Sequence, residues 1–291
     1  MNIQRVVVIL DLPNRPQTAL KRALRMQKDS GDELTLEPVA FIYDAFAEAN
    51  SGFDAKERKQ LKKRTLERHK AWLDELADQY PNLPEVRTVW EHHLDDWVKD
   101  NCASADLVIK TASGSARSRS ASDWALLMTC PTNLLLVGHR RIRQPQKVLA
   151  ALDLQHRDTL HDKLNQRVLD MAASVASLSD AELHTACAVE VMPALIDLDV
   201  INERTAQRKQ IKKSASLLDR LVAAYGVKKK HRHFPVGRIG QAIADCVKAN
   251  GADLLVVGTR ARPVRQALGL GNSAQRILRK APCDLLAVRP G

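Results

Sequence analysis

The stretch from Asp253 to Ser273, DLLVVGTRARPVRQALGLGNS, carries the residue types best suited to chemistry in this chain. An apolar run, Leu254 to Val257, ends at Gly258. A basic segment interrupted by Pro263 follows, and then Gly269, Gly271, Asn272 and Ser273 precede a helical pattern, AQRILRK. This order predicts a strand buried on both faces, a turn and a helix start. Glycine lets backbone N–H groups come close to a ligand, and a helix N-terminus offers unpaired donors and a partial positive charge. The chemistry indicated is capture of an anion such as phosphate. The same residues are also ordinary punctuation between a strand and a helix, with a glycine at the strand end and a small polar N-cap. Two phosphate motifs are excluded. There is no Gly-Lys-Ser/Thr, hence no Walker A loop. Gly269 to Ala274 matches G-x-G-x-x-A, but no strand immediately precedes it and it lies late in the chain.

Other chemistries have weaker support. His231 and His233 alternate and so would share a strand face, but no third ligand is evident nearby; His92 and His93 are adjacent and poorly placed for one ion. No metal site is expected. There is no G-x-S-x-G segment, no cysteine has a base partner, and Asp95-Asp96 reads as a solvated pair. No catalytic residue is assigned and enzymatic activity is not expected.

The elements that would position the loop repeat. Val6 to Leu10 reads as a buried strand closed by Asp11, and Lys147 to Leu152 as another closed by Asp153. SADLVI matches GADLLV, and CPTNLLLV matches APCDLLAV. Each half alternates five strands with helices, which predicts two tandem doubly wound five-stranded parallel sheets. In the second half the strands expected are Lys147–Asp153, Glu182–Val191, Val227–Phe234, Leu254–Val257 and Leu285–Val288, with helices over Leu160–Leu178 and Glu203–Tyr225. The join falls in the basic, proline-containing stretch Arg140 to Pro145, which gives domains of 1–143 and 144–291. The carboxyl ends of strands one and four of a doubly wound sheet border its switch point, which would bring Asp153, Gly258 and Gly271 into one crevice. On turn chemistry alone, Asp153 equally suits a strand-end aspartate fixing its own loop. In the first half, Thr111 stands where Gly258 would be and Trp124 where Gly271 would be. A tryptophan there would block a phosphate cradle, and either covers a pocket or packs in the core.

Composition bounds the partners. The chain has 291 residues, 45% hydrophobic and 27% charged, with only 4% aromatic. No apolar run approaches the roughly 20 residues of a membrane span, so no membrane insertion is expected. Five cysteines without C-x-x-C pairing read as reduced, buried thiols of a cytoplasmic protein. Residues 1–140 hold equal numbers of acidic and basic side chains, so the whole net charge of +11 lies in residues 141–291. That excess either solvates a surface or attracts an anion. Weak nucleic-acid binding through the basic half ranks low, because no reading motif or aromatic stacking platform accompanies it.

At Gly258, Ala261, Gly271 and Ser273 the chain resembles the universal stress protein family, whose nucleotide-binding members carry Gly-x2-Gly-x9-Gly-Ser/Thr after the fourth strand. Ala261 stands at the second glycine position, and Asn272 displaces the hydroxyl residue by one. SDWALLMTCP and GLGNS resemble the E-type tandem members, and the two-copy likeness covers the whole chain. The resemblance implies a Rossmann-like fold with its halves packed as a pseudo-dimer, further homodimerisation being left open. It also implies a stress-response, small-ligand-binding role, with ATP (and magnesium) as the cofactor. By the same likeness, Gly258, Thr259, Ala261, Gly271, Asn272 and Ser273 would form the cradle, with Asp153 beside the base. The E-type likeness permits a second ligand class, an elongated lipid-like molecule or nucleotide sugar held between the copies.

Overall fold

The computed structural model describes residues 3–31, 33–45, 52–115, 118–119, 121–138, 145–156, 158–190, 202–259 and 283–290. The first copy runs β1 (Arg5–Ile9), α1 (Thr18–Asp29), β2 (Thr35–Tyr43), α2 (Ala55–Gln79), β3 (Arg87–Glu91), α3 (Leu94–Asn101) and β4 (Leu107–Thr111). A two-residue ladder, β5 (Gly114–Ser115) with β6 (Ser118–Arg119), precedes α4 (Ala121–Thr129) and β7 (Asn133–Val137). The second copy runs β8 (Lys147–Ala151), α5 (Thr159–Leu178), β9 (Glu182–Ala186), α6 (Glu203–Leu221), β10 (Arg232–His233), α7 (Ile239–Asn250), β11 (Leu254–Gly258) and β12 (Asp284–Val288). The expected boundary between the copies lies outside the described residues.

Alternate residues of each strand face opposite sides of the sheet, and both sides are apolar. Val6 and Val8 join one buried cluster with Leu20 of α1, Leu76 of α2, Leu169 of α5 and Leu218 of α6. Val7 and Ile9 join another with Val98 of α3, Leu126 of α4 and Ile243 of α7. Burial on both faces is why these strands read as unbroken Val/Ile/Leu runs.

The two copies share one ten-stranded sheet, in the order β10-β9-β8-β11-β12-β7-β4-β1-β2-β3. Every neighbouring pair is parallel except β7 with β12, which is antiparallel and pairs Leu136 with Leu285 and Leu135 with Leu286. This seam carries an approximate two-fold. Gly138 N donates to Asp284 Oδ1 at 2.8 Å, and its mirror, Arg289 N, donates to Asn133 Oδ1 at 3.1 Å. The residues at the centre of these bonds differ, however, and among the described residues only Asp284 also meets an arginine side chain, Arg22 of α1, at 2.8 Å.

Several expected elements are shorter than the sequence pattern implies: the strand from Lys147 ends at Ala151, the one from Glu182 ends at Ala186, and two others change character. Val227 to Phe234 contains a 3-10 turn, Lys229–His231, and only Arg232–His233 pairs as strand. The helix expected to reach Tyr225 ends at Leu221, and a 3-10 turn, Ala223–Tyr225, closes on Gly226 in the left-handed region.

All five cysteines are buried thiols outside any disulfide. Burial pushes Cys102 up to about 12 and Cys246 up to about 11, and also raises Cys130 and Cys187. A raised pKa keeps a thiol protonated below that value, so at pH 8 little thiolate is present to react. The native protein should therefore show almost no thiol titratable with Ellman's reagent at pH 8, and five after denaturation. A rapidly reacting native thiol would contradict this packing.

Candidate functional site

The crevice at the carboxyl end of β8 is held by a helix side chain. Asp153 N donates to Asn165 Oδ1 at 2.9 Å, and Asn165 Nδ2 donates back to Asp153 O at 2.7 Å. The Asp153 carboxylate accepts from Gln155 N and His156 N at 3.1 and 3.2 Å, and lies 2.8 Å from His156 Nδ1. The aspartate thus fixes its own loop, one of the two roles its position suggested, while its side chain stays partly exposed. His161 approaches the same carboxylate at 3.9 Å, and its Nδ1 lies 2.7 Å from Asp158, the N-cap of α5.

Gly258 ends β11 opposite Val288, as Thr111 ends β4 opposite Val137. A Cβ on Gly258 would lie 2.6 and 2.7 Å from side-chain carbons of Leu164 in α5. Helix packing therefore accounts for this glycine without a ligand. Thr259 follows; its N–H donates to Val288 O at 2.9 Å, and its buried Oγ1 has no partner among the described residues. Of the other expected cradle residues, Ala261, Gly271, Asn272 and Ser273 lie outside the described residues.

The corresponding crevice of the first copy is closed by its own side chains. Thr111 Oγ1 donates to Asp11 Oδ2 at 2.7 Å and accepts from Ala19 N at 2.9 Å, and Asp11 Oδ2 also accepts from Thr18 N. Lys110 Nζ lies 2.8 Å from Asp123 Oδ1 and donates to Ser113 Oγ and Thr111 O, both at 2.8 Å. Ser113 N donates to Asp123 Oδ2 at 2.8 Å. Trp124 is half-buried and packs on the cluster that holds Val98 and Leu126, so core packing is at least part of its role.

Two features were beyond sequence reasoning. The first is a cavity of about 350 Å³ between α1 and α5, lined by Leu135 and Leu286 of the seam, Met26, Met171 and Val175 of the helices, and Arg22. Nη2 of Arg22 pairs with Asp284, but its buried Nε has no partner among the described residues. The lining residues come from segments far apart in sequence, and no local pattern announces them. The second corrects the expectation that His231 and His233 have no third ligand nearby. Parallel pairing of β9 with β10 brings His184 and Glu182 beside them. Each pair alternates in sequence, but nothing in either spacing says that the two strands pair.

Two doubly wound α/β units sharing one sheet through an antiparallel last-strand pair define a tandem Rossmann-like fold. Residues 145–289 belong to the universal stress protein family, whose sequence profile they match. Over its whole length the chain resembles the family's E-type tandem members. It is 25% identical to a universal stress protein E homolog of Haemophilus influenzae, over 100% of this chain and 98% of that one. It is 26% identical to universal stress protein E of Escherichia coli, over 99% and 94%. Among solved structures, a functionally unknown protein of Pseudomonas aeruginosa superposes with a TM-score of 0.71 at 22% identity, covering 99% of this chain and 93% of that one. A universal stress protein of Archaeoglobus fulgidus superposes at 0.66 with 15% identity, covering 99% and 96%. These likenesses establish the fold. Among the described residues no helix is long and apolar enough to cross a membrane.

Proposed function

We propose that this stress-response protein works by binding an elongated, largely apolar molecule with an anionic group in the cavity between its two copies. The observation that carries this reading is the cavity itself. Its volume of about 350 Å³ falls in the usual range for small-ligand sites, about 300–1,000 Å³. Apolar side chains, leucine and methionine foremost, form most of its wall, and the guanidinium of Arg22, paired with Asp284, lies beside them with one buried N–H that has no partner among the described residues. An apolar body there would remove the lining from water, and an anionic head would satisfy that donor.

Myristate serves as the probe. Saturated at about 100 times its dissociation constant, it should stabilise the protein by roughly 2.7 kcal/mol, a melting shift of about 5–11 °C. Met171→Trp, which fills the cavity, should abolish the shift while circular dichroism stays unchanged. Arg22→Met should weaken myristate but not tetradecanol. Absence of any shift in the parent protein, or an unchanged shift in Met171→Trp, would overturn the reading.

A second reading, Mg-ATP at the second copy's crevice, is favoured by Thr259 Oγ1, which has no partner among the described residues, and by an Asp153 side chain that stays partly exposed while fixing its own loop. Ala261, Gly271, Asn272 and Ser273 would complete that cradle. Its mark would be a melting shift with Mg-ATP that Asp153→Ala reduces and Met171→Trp leaves intact.

A further inference from the structure

The edge of the sheet formed by the second copy gathers four side chains that neither reading uses. Glu182 and His184 are two residues apart on β9 and so share a face. Parallel pairing sets Arg232 opposite Thr185 and His233 opposite Ala186, which brings His231 and His233 alongside. His184 and His231 are only 5% and 7% exposed. The His184 ring stacks on His231 at 4.1 Å and 14°, and on His233 at 5.3 Å and 9°. Glu182 Oε2 lies 3.4 Å from His184 Nε2, and Oε1 lies 4.0 Å from His231 Nε2.

We propose that Glu182, His184 and His231 hold a transition-metal dication of the zinc class, with His233 orienting His184. Metal bonds of about 2.0–2.2 Å meeting at a tetrahedral angle leave ligand atoms roughly 3.3–3.5 Å apart. One of the Glu182–imidazole spacings already has that value, and all three ligand atoms lie within 4.8 Å of one another. His184 Nδ1 is 3.0 Å from His233 Nε2. Such an outer hydrogen bond fixes the ring of a ligating histidine and leaves Nε2 for the metal. Burial shifts the pKa of His184, His231 and His233 below the ordinary histidine value, the direction that favours the neutral ring a metal requires. Two imidazoles and one carboxylate favour zinc, copper or nickel over magnesium and calcium, and leave a fourth position open. Lys147, Lys228 and Lys230 lie close enough to oppose a cation, which sets the affinity below that of a fully anionic site.

The other histidine cluster, Asp153 with His156 and His161, serves as the internal control, because its aspartate and His156 are already joined in the loop turn. The full-length protein, stripped with chelator, is titrated with Co²⁺ by visible absorption and with Zn²⁺ against a chromophoric chelator. One equivalent should bind. Glu182→Gln, at an exposed position, and His231→Ala should each weaken binding at least about tenfold, and His233→Phe by about 10–100-fold. The double variant His156→Ala/His161→Ala should bind as the parent does. The proposal fails if no stoichiometric metal binds. It fails equally if Glu182→Gln and His231→Ala bind undiminished, or if only the double variant loses binding.

Discussion

Asp123→Ala should lower the stability of the protein by about 3–5 kcal/mol, because it leaves the buried Lys110 ammonium without its counter-charge. Asp123 is fully buried and Lys110 only 9% exposed. After truncation, Lys110 Nζ keeps two neutral acceptors among the described residues, Ser113 Oγ and Thr111 O, and Ser113 N–H loses the carboxylate it donates to. At about 2–4 °C per kcal/mol the melting temperature should fall by roughly 6–20 °C. Removing both charges is a different matter. Lys110→Met with Asp123→Leu should restore most of the loss, since an apolar pair of similar volume often matches a buried ion pair. A denaturant titration of the two variants and the parent decides the point. A cost below about 1 kcal/mol for Asp123→Ala would mean that water reaches Lys110 and that the first copy's crevice is not closed.

Gly258→Val should destabilise by about 1–3 kcal/mol, towards the upper end, through overpacking and with no ligand present. Its Cβ would enter the space held by Leu164, which is itself only 8% exposed, so neither side chain can swing into solvent. The compensating change tests the cause. Gly258→Ala should be costly alone and nearly free in a Leu164→Ala background, a coupling that a double-mutant cycle measures directly. If the two changes are additive, steric conflict with α5 is not what demands glycine here, and a requirement for close ligand approach regains its force.

This glycine also shows where sequence reasoning stops. Its position at a strand end was legible, because Leu254 to Val257 is an unmistakable buried run. The reason for it was not, because Leu164 lies on another element and neither residue announces the other. The same divide recurs elsewhere. The strands, the duplication and the pairing of Asp11 with Asp153 all follow from local pattern, since burial on both faces leaves continuous apolar runs. The fusion of both sheets across β7 and β12 does not. NLLLV and DLLAV would look the same with a parallel neighbour or none. Nor could the spacing of His231 and His233 reveal His184, which reaches them only through a strand pairing some 50 residues distant in sequence. Val227 to Phe234 misled in the opposite direction: it was expected as one strand, but the three lysines from Lys228 to Lys230 lead into a turn and only two residues pair.

The seam between β7 and β12 has a consequence for how such a chain can evolve. When two identical subunits meet across a two-fold, any substitution at the contact appears twice, so a charge placed there must tolerate its own image. Covalent fusion removes that condition. Asp284 and Asn133 occupy mirror positions and accept mirror hydrogen bonds, yet one is charged and the other neutral, and only the charged one meets Arg22. No pair of identical chains could hold that arrangement on one side alone. Fusion also keeps the partner edge permanently at hand, so assembly of the sheet is insensitive to dilution, unlike a dissociable dimer. Freed from both symmetry and mass action, one copy can close its crevice with Thr111, Lys110 and Asp123 while the other diverges without endangering the joint fold.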